Sequence, residues 1–324
     1  MAGIKKYNIP IFIPHEGCPH TCIFCNQKKI TGVHTSVTSD DARRIIEDYL
    51  GFIPKDNRYV EIAFFGGSFT GLPIELQEEF LKAANEYSEY TNGIRMSTRP
   101  DYINDEVLAL CSRYNVRTIE LGLQSADDEV LRLNEREHTF EQTVAAAKLI
   151  KQYGISLGLQ MMVGMYGSSP EKDIVTAEKT AELKPECVRI YPTLTLCGTK
   201  LEELYTVGEY TPYDLDTAIE VTNDVMRIFE RQNIEIIRVG LHSGESLTDG
   251  NISAGPYHPA FRELIMSRRC REEIEMDINE KKLSDCVYVA CVSKNKVSET
   301  IGHKRCNAVY FKEKYNIDLK VAVQ

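Results

Sequence analysis

Two hydrophobic periodicities alternate along the chain from residue 8 to about 240. Short apolar runs, many of them β-branched, fall at 8–13, 60–65, 94–97, 118–123, 156–163, 188–191 and 235–239 and read as strands. Longer stretches with helical spacing lie between them. Ser39-Asp40-Asp41 opens one helix with acids suited to its positive end. Leu72-Pro73 opens another, with proline in the tolerated first turn, and Thr139-Phe140-Glu141-Gln142 is close to a capping box. Such alternation builds a parallel α/β sheet, here six or seven units forming a partial or complete (β/α) barrel of the TIM type. Ligands in these folds gather at the C-terminal ends of the strands.

Past residue 250 the alternation stops. Gly255-Pro256-Tyr257-His258-Pro259 interrupts it, and an Arg- and Glu-rich helix is expected over 261–275. The tail reads as a small α+β unit: a strand at 287–292, a short helix at 296–301, and a turn at Gly302-His303-Lys304-Arg305. A longer helix at 307–315 and a strand at 317–323 complete it. The expected division is a barrel over 1–250, a helical extension over 251–285 and an α+β module over 286–324.

With 324 residues there is room for one large domain and an appendage. Hydrophobic residues at 43% and charged residues at 27% place the chain among ordinary soluble globular proteins. No apolar stretch approaches the ~20 residues that span a bilayer, so no membrane partner is expected. The start MAGIKKYNIPIFIP lacks a long apolar region and a cleavage site, so no signal peptide is expected. Ten cysteines without paired spacing suit a reducing compartment, and a cytoplasmic location follows as the expectation. The net charge of −10 argues against broad nucleic-acid binding. Its distribution is uneven: residues 286–324 carry seven Lys/Arg against three acids, a local +4 that leaves −14 for the remainder.

Cys18, Cys22 and Cys25, in the run HEGCPHTCIFCNQ, directly follow the first expected strand. They therefore stand on the ligand-binding face. Their C-x3-C-x2-C spacing puts three thiols on one tight loop with no fourth cysteine nearby. Iron–sulfur cubanes are normally held by four thiolates. A three-cysteine loop either borrows a distant ligand or leaves one iron open, and an open position marks a catalytic metal. The alternative is a zinc knuckle closed by His15 or His20. Zinc sites usually come as two such cysteine pairs, or one pair with a distant histidine pair, and neither pattern is present.

This loop, with aromatic Phe24 before its last cysteine, resembles the cluster motif of the radical S-adenosylmethionine (SAM) enzymes. The resemblance implies that Cys18, Cys22 and Cys25 hold a 4Fe–4S cluster whose free iron is chelated by SAM. It also implies reductive cleavage of SAM to a 5′-deoxyadenosyl radical. Gly66-Gly67-Ser68 stands where the family sets a Gly-Gly-x element against the methionine end of SAM. Further matches follow in order: Ser97-Thr98-Arg99-Pro100-Asp101, Gly122-Leu123-Gln124-Ser125, Arg136 and His138 in LNEREHT, and Gln160-Met161-Met162-Val163-Gly164.

That order resembles the branch containing the catalytic subunit of Elongator and the oxygen-independent coproporphyrinogen oxidases. The segment 190–213 is closer to the Elongator side. By motif position, Arg136 would pair with the SAM carboxylate. Gln124 and Ser97 would bond the methionine or ribose part, and Gln160 the ribose hydroxyls. The chain departs from its relatives at Ser68, where many carry Glu or Gly, and at Ser97 and Gln160, where an acid is common. The resemblance covers roughly 8–240. Residues 241–324 leave no room for Elongator's acetyltransferase domain, so the acetyl-CoA-dependent reaction is not expected to carry over unchanged. Cys187 and Cys197 lie near the active face, where a thiol could accept a radical or carry a methyl group. Free cysteine is more often a small buried hydrophobe.

The β-α-α-β tail resembles the core of a KH domain, which clamps four nucleotides with a GXXG loop between two helices. Gly302 is the loop's first glycine, followed by His303 and Lys304, and Arg305 stands at the last position. Together with the local positive charge, this implies RNA contact at Gly302, His303, Lys304 and Arg305.

The expected protein is thus a radical SAM enzyme acting on RNA, most plausibly tRNA, with an electron donor such as flavodoxin or ferredoxin. No catalytic residue is assigned. Two rivals remain at this stage: a radical SAM enzyme acting on a small metabolite or tetrapyrrole, and a non-catalytic RNA-binding iron–sulfur protein.

Overall fold

The computed structural model describes residues 4–13, 17–18, 22–26, 37–241 and 250–324. His15 and His20, the candidate fourth zinc ligands, lie outside the described residues. Seven parallel strands follow one another in a single sheet. They are β1 (Lys5–Ile13), β2 (Arg58–Gly66), β3 (Gly93–Thr98), β4 (Val116–Gln124), β5 (Ser156–Val163), β6 (Cys187–Pro192) and β8 (Glu235–Val239). β1 and β8 remain at opposite edges, so the sheet is a curled half-barrel, the open member of the two expected forms. Every expected strand is present. Several run one to three residues further, because ladder hydrogen bonds continue past the apolar run.

Several strands place polar residues between apolar ones, which is unusual for a parallel sheet buried on both faces. On β4, for example, Ile119, Leu121 and Leu123 are fully buried in the core against the helices. The positions between them point into the lumen of the half-barrel. That lumen is polar. Arg95 Nε donates to Glu61 Oε2 at 3.0 Å and its Nη1 to Glu120 Oε1 at 2.9 Å. Thr118 adds a bond to Glu61 at 3.1 Å, and Arg189 closes on both oxygens of Glu120. These buried ion pairs satisfy one another, as charges removed from water must. They form a rigid floor below the ligand end of the barrel.

The helices begin where local chemistry dictates. α1 (Ser39–Phe52) is capped by Thr38 in a reciprocal box with Asp41, one residue before the expected start. Pro73 is the residue just before α2 (Ile74–Asn85). After α3 (Asp105–Arg113) and α4 (Asp128–Leu133), α5 (Phe140–Gln152) carries the full Thr139–Gln142 box. α6 (Pro170–Glu182) follows β5. Beyond β6 come a short β7 (Thr195–Leu196), α7 (Lys200–Thr206) and α8 (Leu215–Arg231). After β8, β9 (Ile252–Ala254) pairs antiparallel with β7.

The long α9 (Phe261–Lys281) runs past residue 275, where its sequence pattern was expected to stop, and ends on left-handed Lys282. It leads to β10 (Val287–Val292), α10 (Val297–Ile301), α11 (Cys306–Tyr315) and β11 (Asp318–Val323), with β10 and β11 paired in parallel. Ile274 and Ile278 of α9 share one apolar core with Ala290, Phe311 and Ile317. Asn307, fully buried, bonds the carbonyls of Ser267 on α9 and Thr300 on α10 at 2.7 and 3.2 Å. No helix among the described residues is long and apolar enough to cross a membrane.

Candidate active site

The cysteine loop lies against the chain that leaves β2. Gly17 has φ +72°, and a Cβ there would stand 2.0 Å from the Ser68 carbonyl oxygen. A Cβ on Gly71 would stand 2.0 Å from the Gly17 carbonyl oxygen. Only glycine at both positions lets the two backbones meet so closely. Further along, Cys25 N–H bonds the Cys22 carbonyl at 2.9 Å in a tight turn. Ile23 donates to the Asn134 carbonyl at 3.3 Å and accepts from Leu201 N–H at 2.9 Å. The loop is therefore pinned between the end of α4 and the start of α7. Ile23 packs with Leu201 and Tyr210, while Phe24 packs toward Met162 and Met165.

Cys22 is buried, Cys18 and Cys25 are half-buried, and all three are free thiols. Among the described residues, no three His, Cys, Asp or Glu side chains are gathered closely enough to hold a metal ion. The fit of a cluster with SAM rests instead on the donor groups around the loop. Arg136, buried, sends Nη1 to Cys22 Sγ at 3.3 Å and Nη2 to the Gly122 carbonyl. Behind it, Arg99 holds Asp101 with Nε at 2.9 Å and the Arg136 carbonyl with Nη2. Burial opposes the Arg99 charge, but Asp101 and the thiols of Cys22 and Cys18 outweigh it and raise its pKa. Among the described residues, Arg136 Nε, Arg99 Nη1 and His138 Nε2 are buried without a partner. Buried donors left in this state are costly and call for an explanation. Two guanidiniums beside Cys22 and Cys18, with one carboxylate between them, suit a group that ionises the thiols and adds carboxylate acceptors. The donor set fits a cluster carrying SAM.

Other site candidates surround the same corner. Gln124 takes a left-handed backbone (φ +65°), and its Oε1 accepts from Gln160 Nε2 at 3.3 Å. A Cβ on Gly122 would stand 2.8 Å from Gln124 Nε2 and 3.5 Å from Arg136 Nη2. Gln124, Gln160 and Arg136 are thereby brought together over bare backbone. Ser97, half-buried, is the register partner of Glu120. Gly66 (φ +102°) owes its identity to strand packing, since a Cβ would stand 3.2 Å from the Ile13 carbonyl oxygen. Gly67 follows it, and Ser68 is buried, its carbonyl receiving Gly71 N–H at 3.0 Å. Arg99, Asn134 and His138 complete the site without having been assigned a role from sequence. The STRPD and LNEREHT runs that contain them were its visible signal.

Gly302, His303, Lys304 and Arg305 do not join this cluster. They lie in the C-terminal module, where the His303 ring packs edge-on against His258 at 5.0 Å. Lys304 and Arg305 are exposed, with φ of +50° and +66°. Arg305 thus adopts the left-handed backbone that glycine favours, in the place a GXXG loop gives to its second glycine. Cys187 is the first residue of β6, at the far end of the lumen from the loop. Burial pushes its thiol up to about 12, which keeps it neutral and unreactive. Cys197 Sγ sits 3.1 Å from Ser253 Oγ and 3.2 Å from the Gly250 carbonyl.

The turn after β5 is braced by a buried acid. Asp173 accepts from Gly164 N–H (2.9 Å), Ser168 Oγ (2.6 Å) and Tyr213 Oη (3.0 Å). Burial raises its pKa from 3.8 to about 6 despite these bonds. The unfolded carboxyl therefore ionises first as pH rises, and stability falls between about pH 4 and 6, then levels. The shift corresponds to roughly 3 kcal/mol. Asp173→Asn is expected to remove that slope, read as denaturation midpoints of both proteins from pH 4 to 7. Parallel profiles would contradict it.

Comparison with known proteins extends these observations. Residues 12–179 match the Radical SAM superfamily and residues 185–271 the Radical_SAM C-terminal domain. A tRNA uridine(34) acetyltransferase of Methanocaldococcus jannaschii is 32% identical over 184 residues, 50% of this chain and 34% of that protein. Elongator complex protein 3 of Mus musculus is 26% identical over 301 residues, 79% of this chain and 54% of that protein. This chain thus spans about a third to a half of the length of these two relatives. Among solved structures, an N-terminally truncated Elp3 from Methanocaldococcus infernus superposes with a TM-score of 0.65 at 24% identity. That match covers 85% of this chain and 64% of the other, a likeness of fold.

Proposed function

This chain belongs to the radical SAM superfamily, and we propose that it uses Cys18, Cys22 and Cys25 to hold a cluster for radical chemistry on RNA, with a tRNA uridine as substrate. Members of the superfamily are enzymes that bind a 4Fe–4S cluster and SAM. Bound together, these supply reductive cleavage of the sulfonium C–S bond to a 5′-deoxyadenosyl radical. The single observation that carries the reading is the buried Arg136 guanidinium on Cys22 Sγ, with Nε unpartnered among the described residues.

In this reading Arg136 receives the SAM carboxylate, a contact suited to a guanidinium fork. Arg99 and Asp101 hold Arg136 through its carbonyl. Gln124 and Gln160 turn their amides to the ribose hydroxyls, with Ser97 beside them on β3. Gly66, Gly67 and Ser68 present backbone to the methionine end. Phe24, Met162 and Met165 keep water from the same corner, which protects a reactive carbon radical.

The substrate class rests on two supports. Relatives covering the radical SAM region are named for tRNA uridine modification. The C-terminal module adds an exposed Lys304–Arg305 pair within a locally positive segment, the electrostatic footprint of RNA contact. The reducing electron comes from a carrier such as flavodoxin or ferredoxin, and the setting is the cytoplasm. Mass spectrometry of tRNA nucleosides from cells with and without the gene tests this reading. Loss of at least one modified uridine is expected, and unchanged nucleosides would contradict it.

A further inference from the structure

On the floor of the lumen, away from the cysteine loop, the charges do not balance at Arg238. Glu61 and Glu120 are consumed by Arg95 and Arg189. Arg189 also lies over the Phe65 ring, its guanidinium carbon 5.1 Å from the centroid. Arg238 of β8 is the register partner of Arg189 across the β6–β8 pair, so both side chains stand on the same face of the sheet. Arg238 is half-buried, and its Nε donates to the Gly240 carbonyl at 3.1 Å. Among the described residues no carboxylate pairs with it. Burial lowers its pKa; Tyr191 opposes that shift, and the neighbouring Arg189 charge adds to it. A second guanidinium beside a first, in a partly dry lumen, is unfavourable unless an anion joins them.

We propose that Arg238 receives the phosphate of a single substrate nucleotide drawn into the half-barrel. This inference rests on the RNA reading above and deepens it. The position argues for substrate rather than SAM. The residues assigned to SAM lie on β2 to β5 and at Arg136, whereas Arg238 is on the edge strand farthest from β1. Tyr191 links the two regions: it neighbours Arg238 electrostatically and packs in the same apolar cluster as Phe24 of the cysteine loop. A nucleotide whose phosphate sits at Arg238 therefore has its sugar and base beside that loop. Enzymes acting on a base remove it from the stack before chemistry, and a half-buried guanidinium holding its phosphate would fix it there. Guanidinium geometry matches phosphate better than an ammonium does.

Calorimetric titration of the full chain with uridine 5′-monophosphate, uridine and inorganic phosphate tests the proposal. The monophosphate is expected to bind at least tenfold more tightly than uridine, with inorganic phosphate competing against it. Arg238→Gln should erase that preference. Arg238→Lys should keep the fold and cut the preference several-fold, so a poorly folded glutamine variant leaves the question answerable. Equal binding of nucleotide and nucleoside by the unsubstituted protein would overturn the proposal. So would an undiminished preference in Arg238→Lys or in a folded Arg238→Gln. Failure of the RNA reading is separable, because it is scored by the modified nucleosides of tRNA from cells with and without the gene and not by nucleotide binding.

Discussion

Replacing Cys22 with alanine is expected to lower SAM cleavage by more than about 100-fold and to deplete iron from the anaerobically reconstituted protein. Partners that merely orient a metal ligand are worth about 10–100-fold, and losing one of three thiolates exceeds that. Cys22 is the buried member of the trio, in contact with Arg136, so its removal also strands a cation. Cys111 provides the control. It is wholly buried in α3, with its thiol pushed up to about 12 by burial, and Cys111→Ala should retain full iron. Iron and sulfide content with deoxyadenosine yield check both variants. Normal iron loading in Cys22→Ala would contradict the assignment.

The second large effect is expected at Arg136. Arg136→Gln keeps two donors but loses the charge and the fork. A hydrogen bond to a charged group is worth about 1.5–3 kcal/mol. SAM affinity should therefore fall by about 10–100-fold while iron loading persists. Arg136→Lys should recover part of the loss through charge alone. Equilibrium binding of SAM to the reconstituted variants separates this from a folding defect. Unchanged affinity in Arg136→Gln would show that its unpartnered Nε serves another purpose.

The half-barrel was legible because each strand signals itself locally, through β-branched apolar runs bounded by caps and glycines. Thr139–Gln142 and Pro73 mark helix starts by chemistry confined to a few residues. The lumen was not legible. Glu61, Arg95, Glu120 and Arg189 lie on four different strands, so nothing in any one segment announces that they form a single network. The same holds for Arg238, whose importance depends on which residue lies beside it on β6. Asn134 and His138 were visible in a motif, yet the burial of Asn134 against the cysteine loop and of His138 against Arg136 is a product of the fold. α9 ran longer than its pattern because Ile274 and Ile278 are held by the C-terminal module, a tertiary gain that low amphipathicity concealed. Arg305 shows the converse. An arginine stands where the GXXG pattern has glycine, while its backbone adopts the left-handed form all the same.

The most direct measurement is the yield of 5′-deoxyadenosine and methionine when the full chain, reconstituted with iron and sulfide under anaerobic conditions, is reduced in the presence of SAM. Formation of both products in equal amounts, dependent on the reductant, is the expected result. A fully iron-loaded protein that leaves SAM intact, or one whose cysteines carry stoichiometric zinc in place of iron, would contradict it.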